Sequence, residues 1–416
     1  MRKRIDASMR NIQEPAPPLT RRDFVGVAAT TLAPLLVRGS AAGVWPALTR
    51  RNFDPWLEID ARALARNAQA IARMAEGKAI IAVAKNNAYG HGLATIGPTL
   101  AAIPEIRMLA IVRPEEALQL RRAGVRMPIL LMGPATEEEL LELVPLDVIQ
   151  SPYRSAAPAI LKRVSEKLKR PVRVHLYVDT GMHRMGMPVA TALPWVAELS
   201  ATGAVRIHGA FTELVEDADF DREQAARLVA LRRGARQRGI EIPILHAASS
   251  DAVQRHRPET FLDAVRPGLA LYGGYVSDEA RAEGGLTPTY RLKARVIRVD
   301  RLDAGEGVSY HRRWTTDKPA WTATLAVGHV DGYPSGAVKG CEVLVRGRLH
   351  PVIGTVSASH TIIALGDEQS VEVGDEATLV GPDNPALHPN EVAKRAGYSE
   401  YNMFMHLSPS LRRVLA

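Results

Sequence analysis

Ile80-Ile81-Ala82-Val83-Ala84-Lys85-Asn86-Asn87-Ala88-Tyr89-Gly90-His91-Gly92 is the stretch from which the rest of the chain can be read. Its opening is a short, wholly apolar run, the pattern of a strand buried on both faces in a parallel sheet. Gly90 and Gly92 let the backbone turn tightly into a following helix. Lys85 therefore stands at the C-terminal end of a strand, the end at which parallel α/β folds build their active sites. Free lysine has a pKa of about 10.4, so an amine that attacks an aldehyde needs burial or a neighbouring cation to be neutral.

Outward from this stretch the same texture recurs. Aliphatic runs at Met108 to Val112, Pro128 to Met132, Asp147 to Gln150, Arg173 to Asp179, Val205 to Phe211, Pro243 to Ala247 and Leu262 to Val265 join Ala79 to Ala84 as strand candidates. Amphipathic segments lie between them, such as the helix pattern from Pro114, stopped at Ala123-Gly124. Eight βα repeats over residues 53–290 match a TIM (β/α)8 barrel in size and count. A doubly wound sheet has the same periodicity, so spacing alone leaves both open. From residue 291 to 416 the pattern becomes alternating short runs between Gly, Asp and Pro turns, which reads as a mainly-β domain. The runs are Ala294 to Asp300, Ala320 to Val327, Gly340 to Arg346, Pro351 to Thr355, Thr361 to Leu365 and Glu376 to Val380, with a helix near Asn390 to Ala396.

Composition narrows the class. One cysteine, Cys341, excludes an intrachain disulfide and a multi-cysteine metal site. Residues 1–42 read as a twin-arginine signal peptide: Thr20-Arg21-Arg22-Asp23-Phe24-Val25, a mildly apolar stretch to Val37, and small residues at Ser40-Ala41-Ala42. That route carries folded proteins, so it suits a periplasmic enzyme that acquires its cofactor before export. Removing the leader takes seven basic and three acidic residues, and the formal charge falls from +8 to +4. So small an excess, without a clustered patch, gives no reason to expect nucleic acid. No later run of about 18 apolar residues would anchor the chain stably in a membrane.

Several motifs in one order give the chain a family. Lys85 to Gly92, Asp179-Thr180-Gly181-Met182-His183-Arg184-Met185-Gly186, Arg266-Pro267-Gly268-Leu269-Ala270-Leu271-Tyr272-Gly273, and Val308-Ser309-Tyr310 with Asp331-Gly332-Tyr333 resemble the alanine racemase family over nearly all of the chain after the leader. The resemblance implies an amino-acid racemase dependent on pyridoxal 5'-phosphate, held as a Schiff base by Lys85. It places the phosphate at Tyr89, Ser250, Gly268, Leu269 and Tyr401. Hydroxyl donors and glycine-opened backbone amides suit a phosphate dianion without a basic cluster. It implies two bases on opposite faces of the substrate, Lys85 and Tyr310, with Tyr310 supplied by the partner subunit of a homodimer. Arg266 would face the pyridine nitrogen, and Arg184 would contact the cofactor ring oxygen and the substrate carboxylate.

The departures from the family pattern cluster near the substrate. Tyr177 stands where the family often has a carbamylated lysine that helps hold the equivalent of Arg184. Glu213 replaces a histidine beside the ring, within reach of Arg266 or Tyr310; Ser249 replaces an asparagine, and His329 an entrance tyrosine. Ala358 and Ser359 replace a Met-Asp pair beside the substrate carboxylate, leaving more room there. These changes point to a substrate range beyond alanine, toward larger or basic side chains. Two other readings compete. One is a decarboxylase of the same architecture, which Glu213 keeps alive although Arg266 stands where such enzymes carry a carboxylate. The other is a barrel that binds the cofactor or an amino acid without turnover.

Overall fold

The computed structural model describes residues 53–416, so the signal peptide read at residues 1–42 lies outside the described residues. The chain first lays down the strand β1 (Trp56–Ile59) and the helix α1 (Ala61–Met74), which Asp60 caps by accepting from the Ala63 amide at 2.8 Å. The barrel strands follow: β2 (Ala79–Val83), β3 (Ile106–Ile111), β4 (Ile129–Leu131), β5 (Val148–Gln150), β6 (Val172–Asp179), β7 (Val205–Phe211), β8 (Ile244–His246) and β9 (Ala264–Val265). All pair in parallel, and the ring closes where Ala264 of β9 lies beside Ala79 of β2. This settles the barrel against the doubly wound sheet. The helices between the strands include α2 (Leu93–Ala102), α3 (Pro114–Arg122) and α4 (Glu137–Leu143). Pro114 opens α3, and Thr136 with Glu139 forms a reciprocal cap on α4.

The second half is the expected β domain. Strand β10 (Tyr290–Leu302) alternates buried and half-buried residues over its first eight positions, the period-two signature of a strand with one face on a core. Register shifts between Leu292 and Lys293 and between Val296 and Arg298 let it bend and serve two neighbours. These are β11 (Ala320–Leu325) and β15 (Glu376–Val380); β12 (Glu342–Val345), β13 (Arg348–Ile353) and β14 (Thr361–Gly366) complete the closed antiparallel ring. Strand β1 does not join the parallel barrel. It pairs antiparallel with β10 and parallel with β16 (Arg412–Leu415), so the first and last described strands lie side by side at the edge of the second domain. Neither β1 nor β16 stands out from sequence, because each is four residues long and is completed by a partner hundreds of positions away.

Asn67 fastens the two halves. This fully buried side chain on α1 donates to the Leu271 and Thr287 carbonyls at 3.1 and 2.8 Å and accepts from the Thr287 amide at 2.9 Å. All three groups belong to the segment running from the barrel to β10. Asn67→Ala would leave them unsatisfied, and a loss of about 2–3 kcal/mol is expected, measurable as a lowered urea midpoint; an unchanged midpoint would refute the assignment.

Candidate active site

Lys85 follows β2 directly and opens a turn of unusual hand. Asn86, Asn87, Ala88 and Tyr89 have φ of 54, 57, 53 and 50°, four consecutive non-glycine residues in the left-handed region. Such residues each cost on the order of 1 kcal/mol and persist only where the surroundings hold them. Here the buried Glu116 of α3 does so: one carboxylate oxygen accepts from the Asn87 amide at 3.2 Å, the other from the Val112 and Arg113 amides at 3.1 Å each. The Asn87 side chain accepts in turn from the Leu93 amide at 2.8 Å. From the far end of the chain, Arg413 donates to the Gly90 carbonyl at 2.8 Å, and the Phe404 carbonyl comes so near that a Cβ on Gly90 would stand 2.4 Å from it.

The turn sends Lys85 and Tyr89 into one cavity of about 220 Å³ at the C-terminal mouth of the barrel. Met182, Arg184, Glu213, Glu216, Ser249, Ser250, Arg266, Gly268 and Tyr401 also line it. Burial pulls the Lys85 ammonium below its ordinary range; Glu213 opposes this and Arg184 and Arg266 reinforce it. Such an amine can bind an aldehyde covalently.

The phosphate residues named from sequence are assembled here. Ser250 Oγ accepts from the Gly268 and Ala270 amides at 3.0 and 3.1 Å, which leaves its own hydrogen to donate. Leu269 begins a single helical turn, where the first amides lack an intrahelical partner. Tyr89 is buried against Tyr272, with ring centres 4.8 Å apart, and burial holds its phenol well above the usual range, so it stays a neutral donor. Burial likewise raises Tyr401, with Glu216 adding to the effect. A Cβ at Gly268 would stand 2.2 Å from Tyr89 Oη. Hydroxyl donors around a glycine without room for a side chain fit a phosphate ester.

Arg266 is held from four sides. Its Nη1 donates to the His246 carbonyl at 2.8 Å and to His246 Nδ1 at 3.0 Å; its Nη2 donates to the Thr212 carbonyl at 2.7 Å and to Glu213 Oε1 at 2.8 Å. The Phe211 ring lies 5.1 Å from the guanidinium carbon. These bonds occupy the four terminal N–H groups and leave Nε–H as the remaining donor of a residue on the cavity wall. That donor suits an unprotonated ring nitrogen. Arginine only donates, so His246 presents a bare Nδ1 and carries its proton on Nε2, which donates to His175 Nδ1 at 2.8 Å. Burial holds both imidazoles neutral, His175 at about 3. Neither histidine was singled out from sequence; the available signal was their inward position on β6 and β8.

Glu213, expected near Arg266 or Tyr310, pairs with Arg266 and also approaches Arg184 at 3.5 Å. Tyr177 packs on Phe211, ring centres 4.3 Å apart, and its hydroxyl bonds Arg184. Ser249 caps the helix that begins at Ser250, accepting from the Asp251 amide at 3.2 Å.

Tyr310, Ala358 and Ser359 lie away from this cavity, on the β domain. Tyr310, 67% exposed, borders a separate depression on the β domain with Ser309, Thr355, Ser357 and His360. Ala358 and Ser359 are exposed in the adjoining loop, whose Ser357 and Ala358 carbonyls accept from the His329 and Val330 amides at 3.0 and 3.1 Å. The sequence-named residues therefore fall in two places, Lys85 with Tyr89, Ser250, Gly268 and Tyr401 at the barrel mouth and Tyr310 with Ala358 and Ser359 on the β domain.

Comparison with known proteins follows this geometry. The family model "Alanine racemase, N-terminal domain" matches residues 59–276, and "Alanine racemase, C-terminal domain" matches residues 289–415. An alanine racemase of Clostridium perfringens is 34% identical over 366 residues, 86% of this chain and 94% of that protein. One from Methanococcus maripaludis is 31% identical over 86% of this chain and 98% of its own length. Among solved structures, the alanine racemase of Clostridium difficile 630 superposes with a TM-score of 0.81 at 26% identity, covering 88% of this chain and 96% of that one. A histidine racemase from Leuconostoc mesenteroides shares the fold at 22% identity, with a TM-score of 0.79 over 88% of this chain and the whole of that one.

Gly268→Ala should weaken pyridoxal phosphate binding about tenfold or more, because the added methyl displaces the Tyr89 hydroxyl. Titrating the apoprotein with cofactor and following visible absorbance measures this; wild-type affinity would contradict the assigned cradle.

Proposed function

The chain belongs to the alanine racemase family of pyridoxal-phosphate-dependent isomerases, and we propose that it interconverts L- and D-amino acids with Lys85 and Tyr310 as its two bases. The bound cofactor supplies an electron sink that makes the α-proton of the amino acid acidic. Lys85, its amine favoured in the neutral form by burial, carries the proton on one face of the α-carbon. Tyr310 carries it on the other. Tyr89, Ser250, Gly268 and Tyr401 on the cavity wall, with the Leu269 amide that follows Gly268, would bind the phosphate, and Arg184 would orient the substrate carboxylate.

The observation that carries the reading is Arg266. It cannot surrender a proton at working pH, so a ring nitrogen facing its Nε–H stays unprotonated. A cofactor held in this way would supply a weaker electron sink, which would favour proton return over side reactions. Glu213, which kept decarboxylation in view, is engaged by Arg266 and faces Arg184 instead of standing free for a ring nitrogen.

Two bases are needed in one reaction, and a single chain holds them in separate half-sites. This supports a homodimer in which the face bearing Tyr310, Ala358 and Ser359 closes the Lys85 cavity of a second copy. The small Ala358 and Ser359 support a substrate range beyond alanine. The arginine pair at residues 21–22 supports export to the periplasm; replacing both with lysine should leave the enzyme in the cytoplasm, and unchanged fractionation would refute that route.

The test is exchange of the α-proton with solvent deuterium by cofactor-loaded enzyme, screened over D- and L-amino acids. Exchange with interconversion is expected, including for side chains larger than alanine. Tyr310→Phe should reduce interconversion by about 10²–10⁴-fold while exchange of one enantiomer survives. Absence of exchange with every amino acid would refute the racemase, and alanine outpacing all larger substrates would refute the broad range.

A further inference from the structure

We propose that Glu213 is the positioning residue of this site, a carboxylate that sets Arg184 by bridging it to Arg266. The inference rests on the racemase reading and goes beyond it in assigning how the substrate-facing arginine is held. The geometry is a three-residue bridge. Glu213 Oε1 accepts from Arg266 Nη2 at 2.8 Å, and Oε2 lies 3.5 Å from Arg184 Nη2.

The two arginines differ in exposure and in the number of acceptors that hold them. Arg266 is 2% exposed in its side chain and fixed by four acceptors, so it acts as an anchor. Arg184 is 57% exposed on the loop after β6, and its paired anion among the described residues is Glu213. The glutamate is itself pinned: its carbonyl accepts from Gln224 Nε2 at 3.0 Å, and Gln224 is fully buried. Rigidity thus passes from the barrel core through Arg266 and Glu213 to Arg184.

Charge supports the same assignment. Without Glu213 two guanidinium groups would border the Lys85 cavity with no carboxylate paired to either among the described residues. With it, one positive charge is balanced and one remains to meet a carboxylate. Tyr177 cannot supply that anion, because burial and Glu213 hold its phenol in the neutral form. A glutamate is anionic without modification, so the placement of Arg184 does not depend on carbon dioxide, as it would with a carbamylated lysine at position 177.

The test compares wild type, Glu213→Gln and Glu213→Asp as cofactor-loaded full-length enzymes. Gln keeps an acceptor for Arg266 and removes the charge; Asp keeps the charge and is too short to reach both arginines. The readouts are KM against kcat, and the pH at which the visible absorbance of the loaded protein changes. The charged groups facing Lys85 are Glu213, Arg184, Arg266 and Glu116. Losing the Glu213 carboxylate removes support for a protonated nitrogen at Lys85, so the Gln variant should move the transition to lower pH. Its KM should rise about tenfold with a smaller loss in kcat. The Asp variant should keep the wild-type transition and raise KM. An unmoved transition together with KM within about twofold of wild type in the Gln variant would overturn the proposal. If wild type itself exchanges no α-proton, the racemase reading fails instead, and the absorbance titration still decides the role of Glu213.

Discussion

Four residues wound the wrong way govern this protein. Asn86 to Tyr89 form a left-handed turn, and nothing local favours it in the alanine and tyrosine that complete it. It survives because Glu116 collects three backbone amides around it, Asn87 caps the next helix, and Arg413 hooks the Gly90 carbonyl. In return, a lysine and a tyrosine four residues apart face one cavity. The strain sits where Lys85 and Tyr89 are both fixed on one cavity wall.

Much of this restraint comes from outside the barrel. Arg413, Phe404 and Met405 lie in the segment that closes the β domain, and each touches the turn or its glycine. Tyr401, from the same segment, lines the cavity. The barrel supplies the floor of the site, through Phe211, Arg266 and the paired histidines, but the shape of its rim belongs to both domains. The cofactor end is therefore a product of the whole described chain.

The barrel strands were legible in sequence because each is a local apolar run whose period does not depend on its partner. The six strands of the antiparallel ring were legible for the same reason. Strands β1 and β16 were not, since each is completed only by a partner far along the chain. The left-handed turn was hinted at by Asn86-Asn87 and the flanking glycines, but Glu116, which stabilises it, looked like an ordinary first-turn acid of α3. Lys85, Tyr89, Ser250, Arg266, Gly268 and Tyr401 converge as their motifs implied. Tyr310, Ala358 and Ser359 stand apart from them, on the surface of the β domain. Glu213 was visible as an exception to a pattern; that it spans two arginines required coordinates.

The pairing of β1 with β16 has a consequence for how the protein is made. Trp56 and Arg412 are register partners about 350 residues apart, so the ribosome completes the barrel long before the strand that finishes the second sheet emerges. Contacts of such separation form late, because loop closure must precede any gain from pairing. The Lys85 cavity is complete only with the last segment in place, since that segment brings Tyr401 and the Arg413 hook. The strand that finishes the edge of the β domain thus also carries the residue that holds the turn of Lys85.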